Sequence, residues 1–332
     1  MPRTAFARLA LFAAVLALSV VVLGAYVRLS HAGLGCPDWP GCYGRLDVPD
    51  EPHLIASANA AFPDRPVEVA KAWKEMLHRY LASGLGLAIV VLAALAWRQR
   101  QVPGQARVLP LALVALVVFQ GVLGMWTVTL LLKPLVVTSH LLFGLTTLAL
   151  LWWLALRHAP LVPTLSPAGS WRGWGLLALL LLVGQIALGG WTSTNYAALA
   201  CPDLPTCQGQ WWPTTDFSTA YTLWHGLGRS YEGGVLDNAA RVTIHLTHRL
   251  GAIVVGGVIG GLAWRLLRAA ERPLRVLGGV LATLLATQIS LGLANVALHL
   301  PLPVAVAHNA GAAALLLALV TLQHMLRPKD VT

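Results

Sequence analysis

The 332-residue chain is 57% hydrophobic and only 11% charged, with a mean hydropathy of +0.69, where an ordinary soluble domain has about 25% charged residues. Apolar runs recur from end to end, which excludes a soluble enzyme on a single anchor, a disordered chain and a disulfide-knotted class. The net charge of +10 sits in short Lys/Arg clusters between apolar runs, without interleaved aromatics, and so reads as membrane topology and not as nucleic-acid binding.

A membrane-crossing helix needs about 20 mostly apolar residues to span a hydrocarbon core of about 30 Å. Eight stretches meet that test, at about 9–28, 76–97, 108–131, 136–156, 174–194, 241–264, 276–298 and 303–325. Arg3 and Arg8 ahead of the first run give it the look of a signal peptide. Its end, Leu23-Gly24, has a counterpart in the fifth run (Leu188-Gly189), so it is expected to remain as a helix. The segment from Pro66 to Glu75 reads as an amphipathic lead into the second run.

Eight crossings leave both termini on one side. Placing them inside puts Arg98, Arg100 and Arg107 in one inner connection, Arg157 and Arg172 in the next, and Arg265, Arg268, Arg272 and Arg275 in the third. With Arg3, Arg8, Arg327 and Lys329, 13 of the 23 Lys and Arg lie inside, against only Glu271 and Asp330 of the acidic residues. That is the positive-inside pattern. The long connections 29–73 and 195–240 then face outward, and they hold all four cysteines. An oxidising location permits disulfides. The local pairings Cys36–Cys42 and Cys201–Cys207 are expected because each pair lies in its own copy of a repeat.

That repeat organises the chain. Leu34-Gly-Cys-Pro-Asp-Trp-Pro-Gly-Cys42 aligns without gaps on Leu199-Ala-Cys-Pro-Asp-Leu-Pro-Thr-Cys207, and His78-Arg79 matches His248-Arg249. The stretch from Gln120 to His140 tracks that from Gln288 to His308, with Leu123-Gly124 falling on Leu291-Gly292. The expected fold is an all-α polytopic membrane protein of eight transmembrane helices, arranged as two duplicated parallel four-helix bundles. The expected division is 1–156 and 174–332, with 157–173 (Pro160, Pro163, Pro167) as the linker.

Ionisable residues inside a membrane cost about 2.5–3.5 kcal/mol on insertion scales, so they default to functional roles. His78, His140, His248 and His308 lie near the outward ends of the second, fourth, sixth and eighth runs. Two imidazoles facing across a bundle are a standard way to hold a haem iron. Zinc, the rival metal, wants three or four ligands at shorter spacing. His245-x-x-His248 hints at such a site, but Glu75 stands at the matching place in the first half. Glu75 lies one turn before His78 on the same face, over any macrocycle His78 would bind, or serves as a charge at a helix start. Arg79 and Arg249, and more weakly Arg28, sit where a guanidinium could meet a haem propionate or snorkel to the interface. His31, His53, His158, His225 and His324 read as loop or interfacial residues, and His299 carries no assignment.

With these residues in place the chain resembles the haem A synthase family. The likeness rests on Gly24-Ala-Tyr-Val-Arg28, Gly33-Leu-Gly-Cys-Pro-Asp-Trp-Pro-Gly-Cys42, Glu75-Met-Leu-His78-Arg79, Thr138-Ser-His140, His248-Arg249 and His308. The resemblance implies that haem O is oxidised to haem A by successive hydroxylations of a ring methyl. It implies substrate haem between His78 and His140 with Glu75 as the catalytic carboxylate, and a permanent haem b between His248 and His308. The implied setting is a bacterial inner membrane, with both termini cytoplasmic. The implied partners are haem O synthase, cytochrome oxidase assembly proteins and an electron donor, with room for a homo-oligomer. The rival readings are a di-haem b electron carrier of the quinol oxidoreductase kind and, from another class, a haem transporter. The first gives no reason for Glu75 to occur in only one half, and the second needs neither bis-His sites at matched depth nor fixed cysteine pairs.

Overall fold

The computed structural model describes residues 2–165, 171–226 and 228–327, without the side chains of residues 2–4. Pro167, Lys329, Asp330 and the Arg3 side chain therefore lie outside the described residues. Among those described there are ten helices and no strand: α1 (Pro2–Leu29), α2 (Pro52–Ala61), α3 (Val69–Arg98), α4 (Val108–Thr129), α5 (Pro134–His158), α6 (Trp171–Thr194), α7 (Phe217–Ala220), α8 (Asn238–Leu267), α9 (Arg272–Ala297) and α10 (Leu302–Met325). All but α2 and α7 are long and apolar enough to cross a membrane. Large apolar side chains such as Leu87, Val118, Leu180 and Ile253 point outward uncovered. This is the arrangement hydrocarbon allows, since a helix satisfies its own backbone.

The eight expected crossings are all present, but α3 and α8 begin at Val69 and Asn238, ahead of the hydropathy-based starts. Charged residues lower the hydropathy there without breaking the helix, because loop groups satisfy them, as shown below. Asp237 caps α8 by accepting the Ala240 N–H at 2.8 Å, and a proline in the first turn opens α5, α9 and α10, where its missing N–H costs nothing.

α1 packs on α3 and α5, α3 on α4, and α4 on α5; α6 packs on α8 and α10, α8 on α9, and α9 on α10. The two sets meet through α1, α5, α6 and α10. Their joint core includes Leu148, Leu151, Leu154, Leu262, Leu266, Leu319 and Leu322. Polar pairs also cross the junction: Trp152 Nε1–H donates to Thr321 Oγ1 at 2.9 Å, and Thr138 Oγ1 lies 3.3 Å from Thr194 Oγ1.

The turn after α4 closes with Leu132 N–H on Thr127 O at 2.8 Å, and the turn after α9 with Leu300 N–H on Asn295 O at 2.7 Å. Leu131, Leu132, His299 and Leu300 take φ of 50°, 61°, 58° and 63°. This gives His299 a place: it is the turn residue matching Leu131. The segment 221–236 leaves its own half and lies on the α4–α5 turn, with Tyr231 N–H on Leu131 O at 3.0 Å and Lys133 Nζ on Gly226 O at 3.0 Å.

Candidate functional site

α3 and α5 carry His78 and His140; α8 and α10 carry His248 and His308. A glycine of a neighbouring helix backs every ring. A Cβ built on Gly24 would stand 2.9 Å from His78 Cε1, on Gly124 3.6 Å from His140 Cε1, on Gly189 3.2 Å from His248 Cε1, and on Gly292 3.2 Å from His308 Cε1. The Leu-Gly pairs that mark the repeat in sequence thus have a physical purpose, to let a helix surface approach a flat ring.

Nδ1 of His78, His140 and His308 is buried without a hydrogen-bond partner. Such an atom costs about 1–3 kcal/mol in a folded protein, and an orphaned buried group in a native site calls for a ligand or a functional reason. Three glutamines attend the rings. Gln120 Nε2 donates to His140 O at 3.1 Å. Gln185 Nε2 donates to His248 O at 2.9 Å and lies 3.1 Å from His248 Nδ1. Gln288 Nε2 lies 3.3 Å from His308 Nε2. Paired imidazoles, each backed by a glycine, fit the holding of a haem iron. Among the described residues no cluster of three or more His, Cys, Asp or Glu is arranged to hold a bare metal ion, so His245-x-x-His248 does not build a zinc site.

Above each pair sits a disulfide loop, Cys36–Cys42 and Cys201–Cys207, with Cα–Cα distances of 4.8 and 4.5 Å. The pairing is the local one read from the sequence. Each loop is laced from inside by its aspartate. Asp38 accepts the N–H groups of Tyr43 at 2.6 Å and Gly44 at 2.7 Å. Asp203 accepts those of Gln208 at 2.6 Å and Gly209 at 3.0 Å. The Thr206 hydroxyl also donates to Asp203, and with these N–H groups it holds the carboxyl down to about 2.

Glu75 is 5% exposed. Its Oε2 accepts the Cys36 N–H at 2.9 Å and its Oε1 pairs with Arg79 one turn on. In the second half His245 takes the same place: its Nδ1 accepts the Cys201 N–H at 3.2 Å, and Arg249 Nε lies 3.3 Å from its Nε2. The two frames match, and the acid is present in one only.

Arg79 and Arg249 both reach the disulfide loop of their own half. Arg79 donates to the carbonyls of Asp38 at 2.9 Å, Pro40 at 3.3 Å and Gly41. Arg249 donates to those of Thr206, Cys201 and Asp203 at 2.9, 2.7 and 3.0 Å. Both guanidiniums are engaged in holding their disulfide loops. Arg28 joins the two halves instead, donating to Ser193 O at 2.8 Å and Tyr196 Oη at 3.2 Å. His31 stacks on Tyr196 with ring centroids 6.0 Å apart. Of the remaining histidines, His158 lies edge-on to Phe6 and His324 edge-on to Trp153, so both serve packing.

The fold and the site together define a polytopic helical membrane protein with two buried histidine pairs, each under a disulfide-closed loop. The COX15-CtaA family, described as a cytochrome oxidase assembly protein, matches residues 7–320, and the chain belongs to that family. It is 48% identical over 318 residues to the heme A synthase of Shewanella oneidensis, covering 95% of each chain. It is 30% identical over 348 residues to that of Rhizorhabdus wittichii, covering 98% of this chain and 95% of the relative. With the heme A synthase of Caulobacter vibrioides the identity is 26% over 324 residues, covering 91% and 90%.

The sequence pointed to all four histidines, Glu75 and both cysteine pairs. It did not point to Gln185 or Gln288 as site residues, although Gln288 is an end of the repeated Gln-to-His stretch.

Proposed function

We propose that this chain is a haem A synthase, an oxidoreductase that converts haem O to haem A by oxidising a ring methyl to a formyl group. The observation that carries the reading is the Glu75/His245 difference between two otherwise matching frames. A duplicated electron carrier needs no such difference, whereas an enzyme with one reacting haem and one relay haem does.

The recurring contacts support a duplication, with 1–156 and 174–332 as the two bundles and 157–173 between them. In the first bundle His78 and His140 hold the substrate haem O; in the second His248 and His308 hold a resident haem b. When bound, the resident haem supplies a one-electron relay, with its potential set by the axial imidazoles. The paired, glycine-backed rings of both halves suit that load.

On the substrate the overall change is R–CH3 + H2O → R–CHO + 4 H+ + 4 e−, so an oxidant from outside the chain would take four electrons, by way of two successive hydroxylations to an alcohol and then a gem-diol that loses water. The chain manages protons and placement. Glu75 lies one turn from His78 and is positioned to take and return a proton at the methyl side of the ring. The Cys36 N–H and Arg79 fix the carboxylate, and the disulfide loop keeps its surroundings dry. Arg79 and Arg249 act on the haems through those loops.

The Lys/Arg distribution supports cytoplasmic termini in a bacterial inner membrane, with the cysteine loops on the outer face. The enzyme would receive haem O from a haem O synthase and electrons from a membrane donor, and pass haem A towards oxidase assembly.

Extracting the porphyrins of the purified protein tests this reading. A synthase yields haem b together with haem O or haem A. Haem b alone would favour the electron carrier, and sub-stoichiometric haem the transporter.

A further inference from the structure

The gap between the disulfide loop and the helix beneath it is treated differently in the two halves. In the second half Gln208 spans it: its Nε2 donates to Ala200 O at 3.0 Å and to Asn238 Oδ1 at 3.3 Å, at the start of α8. The repeat aligns Gln208, Ala200 and Asn238 with Tyr43, Gly35 and Glu68. Tyr43 does not span the gap. Its hydroxyl donates to Pro66 O at 3.2 Å and its ring stands edge-on to Phe62.

The first half has a cavity of about 160 Å³ there, between the loop and the start of α3. His31, Asp64 and Glu68 are exposed at its mouth, whereas Gly35 and Tyr43 are buried at its floor. The floor lies towards Glu75. Gly35 rests on the α3 backbone, where an added Cβ would stand 2.7 Å from the Lys71 carbonyl, and the next residue, Cys36, gives its N–H to Glu75. Lys71, also in the wall, precedes Glu75 by one turn, about 6 Å along the axis. Two water hydrogen bonds of about 2.8 Å cover that span. Lys71 pairs with Glu68 and Arg65 with Glu232 of the second half, each at 2.8 Å. A polar space of this size holds several waters, and its paired charges favour neither a cation nor an anion.

We propose that this cavity is the water port of the reacting half, through which protons released at Glu75 pass to the outer face and water reaches the site. The proposal rests on the proposed role of Glu75. Oxidising the methyl consumes one water and releases four protons, while the four electrons go to the outside oxidant and do not use this route. A single carboxylate must hand on each proton before it takes the next. The disulfide loop shuts out bulk water, so that exchange needs a confined path. A haem that only passes electrons needs none, and in its half Gln208 bridges the gap.

Two measurements on the full-length protein test this. The Gly35 and Ala200 N–H groups make equal bonds, each at 3.1 Å to the carbonyl three residues back, so their hydrogen–deuterium exchange, corrected for intrinsic rate, compares water access to the two loops. Gly35 should exchange at least about tenfold faster. Lys71→Cys then supplies a point for a plug, because the chain's own cysteines are paired. A benzyl thiosulfonate label there should lower haem A formation in membranes at least about tenfold relative to the unlabelled variant. It should also slow Gly35 exchange while the haem b spectrum stays, and a methyl label should do less. The same benzyl label on Leu46→Cys, at a loop position 81% exposed, should change neither.

Equal exchange of Gly35 and Ala200, or undiminished haem A output from benzyl-labelled Lys71→Cys, would overturn the proposal. Glu75→Gln separates it from the reading beneath: normal haem A from that variant removes the role of Glu75 itself, whereas a plug without effect beside an inactive Glu75→Gln removes the port alone.

Discussion

Glu75 accepts the backbone N–H of Cys36 through Oε2, at 2.9 Å. The carboxylate and the cysteine loop are thereby one unit: the loop that closes over the first histidine pair also holds the buried acid Glu75. Arg79 completes the unit, binding Glu75 on one side and the loop carbonyls on the other.

From this coupling, opening the Cys36–Cys42 bridge should damage catalysis more than stability. Loop closure over about seven residues gives roughly 2 kcal/mol, a small part of what holds eight packed helices. Cys36→Ser with Cys42→Ser should therefore leave a folded, haem b-containing protein whose haem A output falls at least about tenfold, the factor set by some 1.4 kcal/mol in a barrier. Thermal unfolding and porphyrin extraction on the same preparation check this. Unchanged output would separate Glu75 from the loop.

Gly24 makes a second case. A Cβ there would press on His78 Cε1 at 2.9 Å, closer than side chains tolerate, and overpacking of this kind costs typically about 1–3 kcal/mol. Gly24→Ala should move the His78 ring and lower haem O affinity, while the His248–His308 site keeps its haem b spectrum. Titration of the purified variant with haem O reads the first effect, and its visible spectrum the second.

Each half has its own complete pair of imidazoles, so ligation should be independent. His248→Ala or His308→Ala should deplete haem b and leave haem O binding by His78 and His140. Equal loss of both haems from a protein that still elutes as a folded species would contradict the two-site account.

Asp203, inside the second disulfide loop, gives a pH signature. Thr206 and the loop N–H groups lower Asp203 from 3.8 to about 2. A depressed carboxyl contributes stability above its unfolded value and loses it as pH falls through its folded one. The gap in denaturant midpoint between wild type and Asp203→Asn should therefore be full above about pH 4 and close towards pH 2. A gap that stays constant across that window would show that the ionised carboxylate does not lace the loop.

Much of this molecule was legible in its sequence, because hydropathy marks spans and duplication marks function. The eight crossings, the four histidines and the cysteine pairs are all local or repeated signals. Other features depend on residues far apart in the chain, which leave no periodic trace. The contacts of Arg79 with the carbonyls of Asp38, Pro40 and Gly41 are not announced by any motif. The lie of segment 221–236 on the α4–α5 turn joins Tyr231 to Leu131, which no motif announces. The short helix α2 was read as loop because ten mixed residues, Pro52–Ala61, carry too little pattern to stand out. The glycines behind the rings were seen as repeat markers, but only the packed helices show what they make room for.

The central claim is that the acid unique to the first half drives the chemistry there, and one variant tests it most directly. Glu75→Gln preserves size and a hydrogen-bonding end for the Cys36 N–H but removes the exchangeable proton. Porphyrins extracted from cells expressing it as the sole copy should contain haem O in excess with little haem A, while the purified variant keeps its haem b. Near-normal haem A from a protein carrying glutamine at that position would contradict the account and leave Glu75 as a charge that merely anchors its loop.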